Sequence, residues 1–290
     1  MKFQDILSQY NIPFAEGGQH RSVRQGFIGF DCPFCCRSKG EYYAAYNISK
    51  GYVSCWRCGY QHIAKVLRAL TGEPLAKFHG LWKDLDLEKQ QARKQGALKI
   101  PSGVDRLKAV HIRYLHDRGF RNLDVLENLW RIQGTEMTSN LPWRIWIPIH
   151  LHGQIVSWTT RAIGDAQLPR YKSASPEEES VHHKTLLYGA DHVRHSAIVV
   201  EGPLDAWAIG PGAVATLGVG FTTAQLSKIA EFPMRSICFD SEPVAQERAR
   251  QLADALSIFP GTTQVVQLSQ NDPASASKRE IEQLRRTCLS

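Results

Sequence analysis

Apolar and polar positions change rhythm along this chain, and the changes divide it. Residues 3–9 (F-Q-D-I-L-S-Q) place apolar side chains at helical spacing. G-F-I-G-F-D-C-P-F-C, Y-Y-A-A-Y-N-I and G-Y-V-S-C-W-R-C then alternate between turn formers, which predicts short antiparallel strands. I-A-K-V-L-R-A-L-T-G predicts a helix that Gly72 stops. From Glu73 to about Gly103 the chain is charged and Gln/Lys-rich, the composition of a tether with a domain boundary inside it.

Beyond Val104 the texture is different. H-I-R-Y-L-H-D-R-G-F predicts a helix, and R-I-W-I-P-I-H and Q-I-V-S-W-T-T-R predict strands. From His195 onward strands and helices alternate: A-I-V-V-E-G, L-D-A-W-A-I, A-V-A-T-L-G, T-T-A-Q-L-S-K-I-A-E-F, S-I-C-F-D-S-E, V-A-Q-E-R-A-R-Q-L-A-D-A-L and Q-V-V-Q-L-S. Continuous apolar strands between amphipathic helices imply a parallel sheet covered on both faces. The expected class is α/β (α+β overall). A β-rich module spans 1–72, a linker 73–103, a mixed segment 104–193, an open parallel sheet 194–275 and a tail 276–290.

Composition narrows the setting. Of the 290 residues 43% are hydrophobic and 22% charged, ordinary values for a folded protein with a core. No apolar run approaches the roughly 18 residues that cross a bilayer, and M-K-F-Q-D-I-L-S lacks the layout of a secretory signal. The expectation is a cytoplasmic protein with no membrane partner. Net charge is +7, and residues 1–72 alone hold nine Lys/Arg against four Asp/Glu, an excess of +5. A basic module gains affinity for phosphate backbones by releasing their counterions; a solvated basic face is the alternative.

Four of the seven cysteines give that module its chemistry. C-P-F-C, nineteen intervening residues and C-W-R-C supply Cys32, Cys35, Cys55 and Cys58 as two knuckles, the spacing of a tetrahedral zinc site. A disulfide framework does not suit an intracellular chain of this size. Cys36 and His62 are the alternative ligands. Four protein ligands leave no open position, so this zinc is structural. Phe34, Tyr42, Tyr43, Tyr46, Tyr52, Trp56 and Tyr60 interleave with Arg37, Lys39, Lys50 and Arg57. Aromatic faces stack unpaired bases while cations follow phosphates, and the same aromatics are needed for a small core. Arg37, Lys39, Trp56 and Arg57 are the candidate contacts to single-stranded nucleic acid.

The second half carries acids where its strands end. Glu201 closes one strand, Asp205 opens the following helix, Asp240 and Glu242 close another strand, and Asp272 follows the last in Q-N-D-P. Open parallel sheets bind ligands at the carboxyl ends of their strands. Carboxylates gathered there hold one or two Mg²⁺ or Mn²⁺ ions that keep waters for substrate phosphates. A helix-capping role is the alternative for Asp205.

E-G-P-L-D-A, T-L-G, F-D-S-E and N-D-P together resemble the TOPRIM module, a Rossmann-like sheet shared by primases, topoisomerases and some nucleases. Y-L-H-D-R-G-F, R-I-W-I-P-I-H-L-H-G-Q-I-V-S-W-T-T-R-A-I-G-D, P-R-Y-K-S-A-S-P and H-K-T-L-L-Y-G resemble the polymerase core of the bacterial and bacteriophage-type DNA primases. With the zinc ribbon in front, the resemblance spans all but the tether and the last dozen residues. It implies a DNA-dependent RNA primase that makes short RNA primers on single-stranded DNA during replication. Glu201, Asp205, Asp240 and Glu242 would be catalytic, and Glu201, Asp240, Glu242 and Asp272 would hold magnesium. Arg144, Arg161, Arg170 and Lys184 would contact template or incoming ribonucleoside triphosphate. Either the chain acts alone, or a replicative helicase or another replisome protein would be the partner, met through the tail K-R-E-I-E-Q-L-R-R or the ribbon, in a bacterial cell or a phage-infected host. The chain departs from the family pattern at Glu242, which replaces the second acid of D-x-D, at Pro243, and after Asp272, where Pro273 and Ala274 stand in place of a further acid. A TOPRIM nuclease, or a non-catalytic protein binding single strands or a replisome component, are the alternatives.

Overall fold

A computed structural model describes residues 2–35, 40–48, 52–61, 63–73, 75–78, 96–218, 220–257 and 259–289. The chain forms two compact units, one of residues 1–92 with 257–259 and one of residues 93–256 with 260–290.

The first unit is a five-stranded antiparallel meander between two helices. α1 (Phe3–Gln9) begins where the Lys2 amide donates to Asp5 Oδ2 at 2.8 Å. β1 (Phe14–Glu16), β2 (Phe27–Phe30), β3 (Ala44–Asn47), β4 (Tyr52–Cys55) and β5 (Gly59–Gln61) pair in sequence order, and α2 (Ile63–Thr71) follows. Phe3, Ile6 and Leu7 of α1 and Ile63, Val66 and Leu67 of α2 repeat at helical spacing and are buried against Ile28, Phe30, Tyr46 and Val53 of the sheet. Each such aliphatic side chain, fully buried, contributes about 1.5–3 kcal/mol. Gly29 has to be glycine, because a Cβ there would lie 2.2 Å from Val23 Cγ2. Gly72, at φ +71°, ends α2 as its position predicts.

The expected tether is shorter than its composition implies. Leu75–Phe78 forms a 3₁₀ turn whose Phe78 is buried in the first core. Residues 96–103 belong to the second unit: Lys99 O accepts from Trp158 Nε1 at 2.8 Å, and Leu98 packs beside Trp146 and Trp158. Apolar Phe78 and Leu98 override the charged residues around them.

The second unit joins two sheets through one core. β6 (Val104–Asp105), α3 (Ala109–Asp117), α4 (Leu123–Asn128), β7 (Gln133–Thr135), β8 (Arg144–Leu151), β9 (Gln154–Ala162) and β10 (Tyr171–Ser173) build an antiparallel sheet of order β10-β9-β8-β7-β6. Pro148 is tolerated in the middle strand because β7 pairs only with Ile145 and Trp146 of β8. Alternation along β8 sends Ile145, Ile147 and Ile149 to the main core and Trp146 to the opposite face.

β11 (Ser196–Val200), α5 (Pro203–Ile209), β12 (Ala213–Ala215), α6 (Thr223–Ala230), β13 (Met234–Ile237), α7 (Pro243–Leu256) and β14 (Thr262–Val265) follow as the expected alternation, with a parallel sheet of order β12-β11-β13-β14. Every residue of β11 is buried, as a central strand covered on both faces requires. β14 begins two residues before the expected run and is mostly exposed, as an edge strand is. The segment read as a tail is α8 (Lys278–Cys288), whose Ile281, Leu284 and Cys288 are buried in the same core. Its apolar face is therefore not free to dock a helicase. Residues 104–193 and 194–275 share this core, so no packing boundary separates them.

Candidate active site and metal centre

The four cysteines of the first unit converge. Cys32 Sγ lies 3.8 Å from Cys58 Sγ, Cys35 Sγ lies 3.8 Å from Cys55 Sγ, and all four sulfurs are within 4.8 Å of one another. Four sulfurs about 2.3 Å from a tetrahedral zinc stand about 3.8 Å apart, so the arrangement fits the ion. A disulfide would need sulfurs about 2.05 Å apart, and these cysteines are free. The second knuckle is fixed by Gly59 at φ +70° and by the Arg57 amide, which donates to Cys55 Sγ at 3.5 Å.

The aromatic residues of the ribbon divide between core and surface. Tyr46 is buried, whereas Trp56 is 74% exposed at the tip of the second knuckle. Arg57 lies over the Tyr43 ring at 5.0 Å. Arg37 and Lys39 lie outside the described residues, as do Cys36, Lys50 and His62.

In the second unit a pocket of about 310 Å³ opens where the parallel strands end. Glu201, Asp205, Asp240 and Asp272 line it, together with Arg118, Arg161, Tyr171, Thr159 and Ser173. The fold places each acid for a local reason. Glu201 follows the last residue of β11, and its Oε1 accepts from the Asp240 amide beyond β13 at 3.2 Å. Gly202 and Pro203 start α5, and Asp205 accepts from the Gly202 amide at 3.2 Å and from the Ala274 amide at 3.4 Å. The capping alternative thus describes part of what Asp205 does. Asp272 closes its own turn, taking the Ser275 amide at 2.7 Å.

Among the described residues these acids form no ion pair, and Asp240 Oδ1 is buried with no hydrogen-bond partner. Burial, then the charges of Asp240 and Glu242, hold Glu201 up to about 7. Burial, then Asp240 and Asp272, hold Asp205 up to about 7. Asp240 stands at about 6 for the same kind of reason, with Asp272 and Glu242 beside it. A divalent cation relieves this crowding, so the donor set fits magnesium or manganese. Among the described residues no three of these carboxylates bring their oxygens within 4.8 Å of one another. Glu242 is exposed at the start of α7 and does not line the pocket.

The expected basic contacts occupy three kinds of place. Arg161 is in the pocket, its guanidinium 4.7 Å from the centre of the Tyr171 ring and its Nε donating to the Tyr114 hydroxyl at 3.0 Å. Arg170 is exposed ahead of β10. Arg144 and Lys184 turn inward. Arg144 is 3% exposed and donates to Pro169 O at 2.6 Å and to Arg170 O at 3.5 Å. Lys184 Nζ donates to Leu217 O at 2.5 Å, holding a pocket-lining loop in which Leu217 has φ +60°. Both cations face loop carbonyls that the surrounding sequence does not announce.

Sequence reasoning missed other participants. Arg118, exposed on the pocket rim, stands within the motif Y-L-H-D-R-G-F but was given no role there. Glu179, His182 and His183 form a second close cluster; only His183 falls in a quoted motif, H-K-T-L-L-Y-G, and it was given no role there. Burial raises Glu179, but hydrogen bonds from His183, His182 and Ser157 outweigh it and hold the carboxyl at about 2.

No protein-family model matches the chain, and no curated protein matches it. Solved structures do. The zinc-binding and RNA polymerase domains of the Aquifex aeolicus primase are 18% identical over 98% of this chain and 81% of theirs, with a TM-score of 0.45. The RNA polymerase domain of Mycobacterium tuberculosis primase DnaG is 18% identical over 61% and 75%, with a TM-score of 0.47. The primase fragment of the bacteriophage T7 primase-helicase protein is 15% identical over 88% and 98%, with a TM-score of 0.45.

Proposed function

We propose that the chain is a DNA-dependent RNA primase that joins ribonucleoside triphosphates into short primers on single-stranded DNA, in support of DNA replication. The observation that carries this reading is the gathering of Glu201, Asp205, Asp240 and Asp272 at the carboxyl end of one parallel sheet, with Asp240 Oδ1 buried and unpartnered and Arg161 and Arg118 in the same pocket. Bound Mg²⁺ or Mn²⁺ would supply Lewis-acid stabilisation of the attacking 3′ oxygen and the leaving pyrophosphate.

The protein's own residues account for the remaining work. Glu201, Asp240 and Asp272 hold the cation, with Glu242 adding negative charge from outside the pocket. Asp205, engaged with two backbone amides, sets the position of α5 relative to the 272–274 turn and adds to the negative field. Arg161 is a cation held still by Tyr114 and Tyr171, suited to a triphosphate whose charge must be placed rather than merely attracted. Arg118 and Arg170, both exposed, offer charge to the template backbone. Arg144 and Lys184 act as positioning residues, bracing the 169–170 and 216–217 loops. In the ribbon, Trp56 presents a face for an unpaired base, with Arg37, Lys39 and Arg57 for its phosphates.

The resemblance read from the sequence makes a replicative helicase or other replisome protein the partner and the cytoplasm of a bacterium or an infected host the setting. Among the described residues no helix is long and apolar enough to cross a membrane.

Incubation of the full chain with single-stranded DNA, labelled ribonucleotides and Mg²⁺ or Mn²⁺ tests the reading. Short template-dependent RNA that Glu201→Gln abolishes is the expected result. Shortening of the DNA would mean a nuclease, and binding without either reaction a non-catalytic protein; each overturns the proposal.

A further inference from the structure

We propose that Glu179, His182 and His183 form a second transition-metal site, for a divalent cation of the zinc class, separate from the cysteine cluster and from the carboxylate pocket. Among the described residues, theirs is the one group besides the four cysteines in which three donor atoms lie within 4.8 Å of one another.

The geometry is that of a carboxylate with two imidazoles turned onto it. Glu179 is 2% exposed, and in the described ion pairs it meets only His182 and His183, no lysine or arginine. His183 Nδ1 lies 2.9 Å from Glu179 Oε2, and His182 Nδ1 is within hydrogen-bonding distance of Oε1. The two rings stand 4.7 Å apart and tilted by 60°, both beside the buried carboxylate. One carboxylate oxygen and two ring nitrogens are donors that suit Zn²⁺, Mn²⁺ or Fe²⁺. Three protein donors leave a position for water.

The surroundings supply the outer hydrogen bonds that such a site needs. The Ser157 hydroxyl, from β9, donates to Glu179 Oε2 at 2.7 Å, and the His183 amide donates to the same oxygen at 2.9 Å. These contacts fix the carboxylate and leave Oε1 toward His182. An ion held here would tie β9 to the 3₁₀ turn His183–Thr185, and that turn carries Lys184, the brace of the 216–217 loop. The metal would thus be a clamp whose ligands do not line the carboxylate pocket. The alternative without metal is a pair of Nδ1–H tautomers donating to the carboxylate, and metal counting separates the two.

The test uses the full chain, saturated with Zn²⁺ in the presence of excess Mg²⁺ to fill the carboxylate pocket, then desalted and analysed for zinc by mass spectrometry. The wild type is expected to retain a second equivalent beyond that of the cysteines. H182Q/H183Q and Glu179→Gln are each expected to lose that equivalent alone. Co²⁺ substitution reports the cysteine site independently through its thiolate charge-transfer absorption, which the variants should keep. Circular dichroism checks their folding, and His182→Gln, which alters the more exposed ring, replaces any variant that fails it. A single equivalent in the wild type overturns the proposal whatever the variants do. A second equivalent that survives in the folded variants overturns it as well.

Discussion

Replacing Arg144 by methionine separates a buried brace from a template contact. Methionine keeps the aliphatic packing and removes the guanidinium. The 2.6 Å bond to Pro169 O is a full charge-assisted hydrogen bond, worth about 1.5–3 kcal/mol, whereas the 3.5 Å contacts to Arg170 O and Thr160 Oγ1 are marginal by length. Pro169 and Arg170 are exposed, so water can reach part of what is lost, and Thr160 keeps its own bond to Lys172 O at 2.9 Å. The net cost is about 2 kcal/mol, close to thirtyfold in the unfolding equilibrium. Urea unfolding followed by tryptophan fluorescence reports it, because Trp130, Trp143, Trp146, Trp158 and Trp207 all lie in the second unit. Single-stranded DNA affinity across a salt series is measured in parallel. The expected outcome is a lower midpoint with an unchanged salt slope. A stability within about 0.5 kcal/mol of wild type, together with a salt slope reduced by about one, would refute the reasoning and return Arg144 to the template.

Three other outcomes follow from the two sites. Glu201 and Asp205 stand at about 7 and Asp240 at about 6, all above the unfolded carboxylate range, so the folded chain binds more protons than the unfolded chain between roughly pH 4 and 7. Their contribution is present below that window and is lost as pH rises through it, so the thermal midpoint of the metal-free second unit should fall across it and Mg²⁺ should flatten the slope; equal slopes with and without Mg²⁺ would contradict this. Glu179, held at about 2, acts in the opposite sense and only in more acidic solution. Cys58→Ser should release the ribbon zinc and abolish amide-exchange protection at Ile28, Tyr46 and Val53, since structural zinc supplies folding energy to so small a core; protection that survives loss of the zinc would show that the fold needs no metal. Trp56→Ala should weaken single-stranded DNA binding by about 1–3 kcal/mol at unchanged thermal stability, because the ring is 74% exposed; a fall in stability with unaltered binding would assign Trp56 to the core.

Periodicity is legible in a sequence because it is repeated. The run A-I-V-V before Glu201 could only be a strand buried on both faces, and β11 is buried throughout. Gly72 stops its helix at positive φ for a reason that lies within the residue itself. The spacing of Ile281, Leu284 and Cys288 in α8 likewise marks an apolar stripe, but nothing nearby in the sequence says what covers it, and the stripe was mistaken for a free docking surface. Single polar residues are harder still, because their surroundings come from far along the chain. Arg144 is expected from the resemblance to contact template or triphosphate, and the acceptor that holds it inward, Pro169 O, comes from 25 residues on. Glu179 sits in E-E-E-S, which reads as a solvated loop, yet Ser157, 22 residues upstream, buries and fixes it. The acids at strand ends stand between these cases. Their positions follow from the strands, which are legible. Their protonation depends first on burial and then on the charges of neighbours such as Asp240, which lies against Glu201 from 39 residues away. The sequence therefore names the carboxylates, and the fold, by burying and crowding them, gives the physical reason for the metal proposed there.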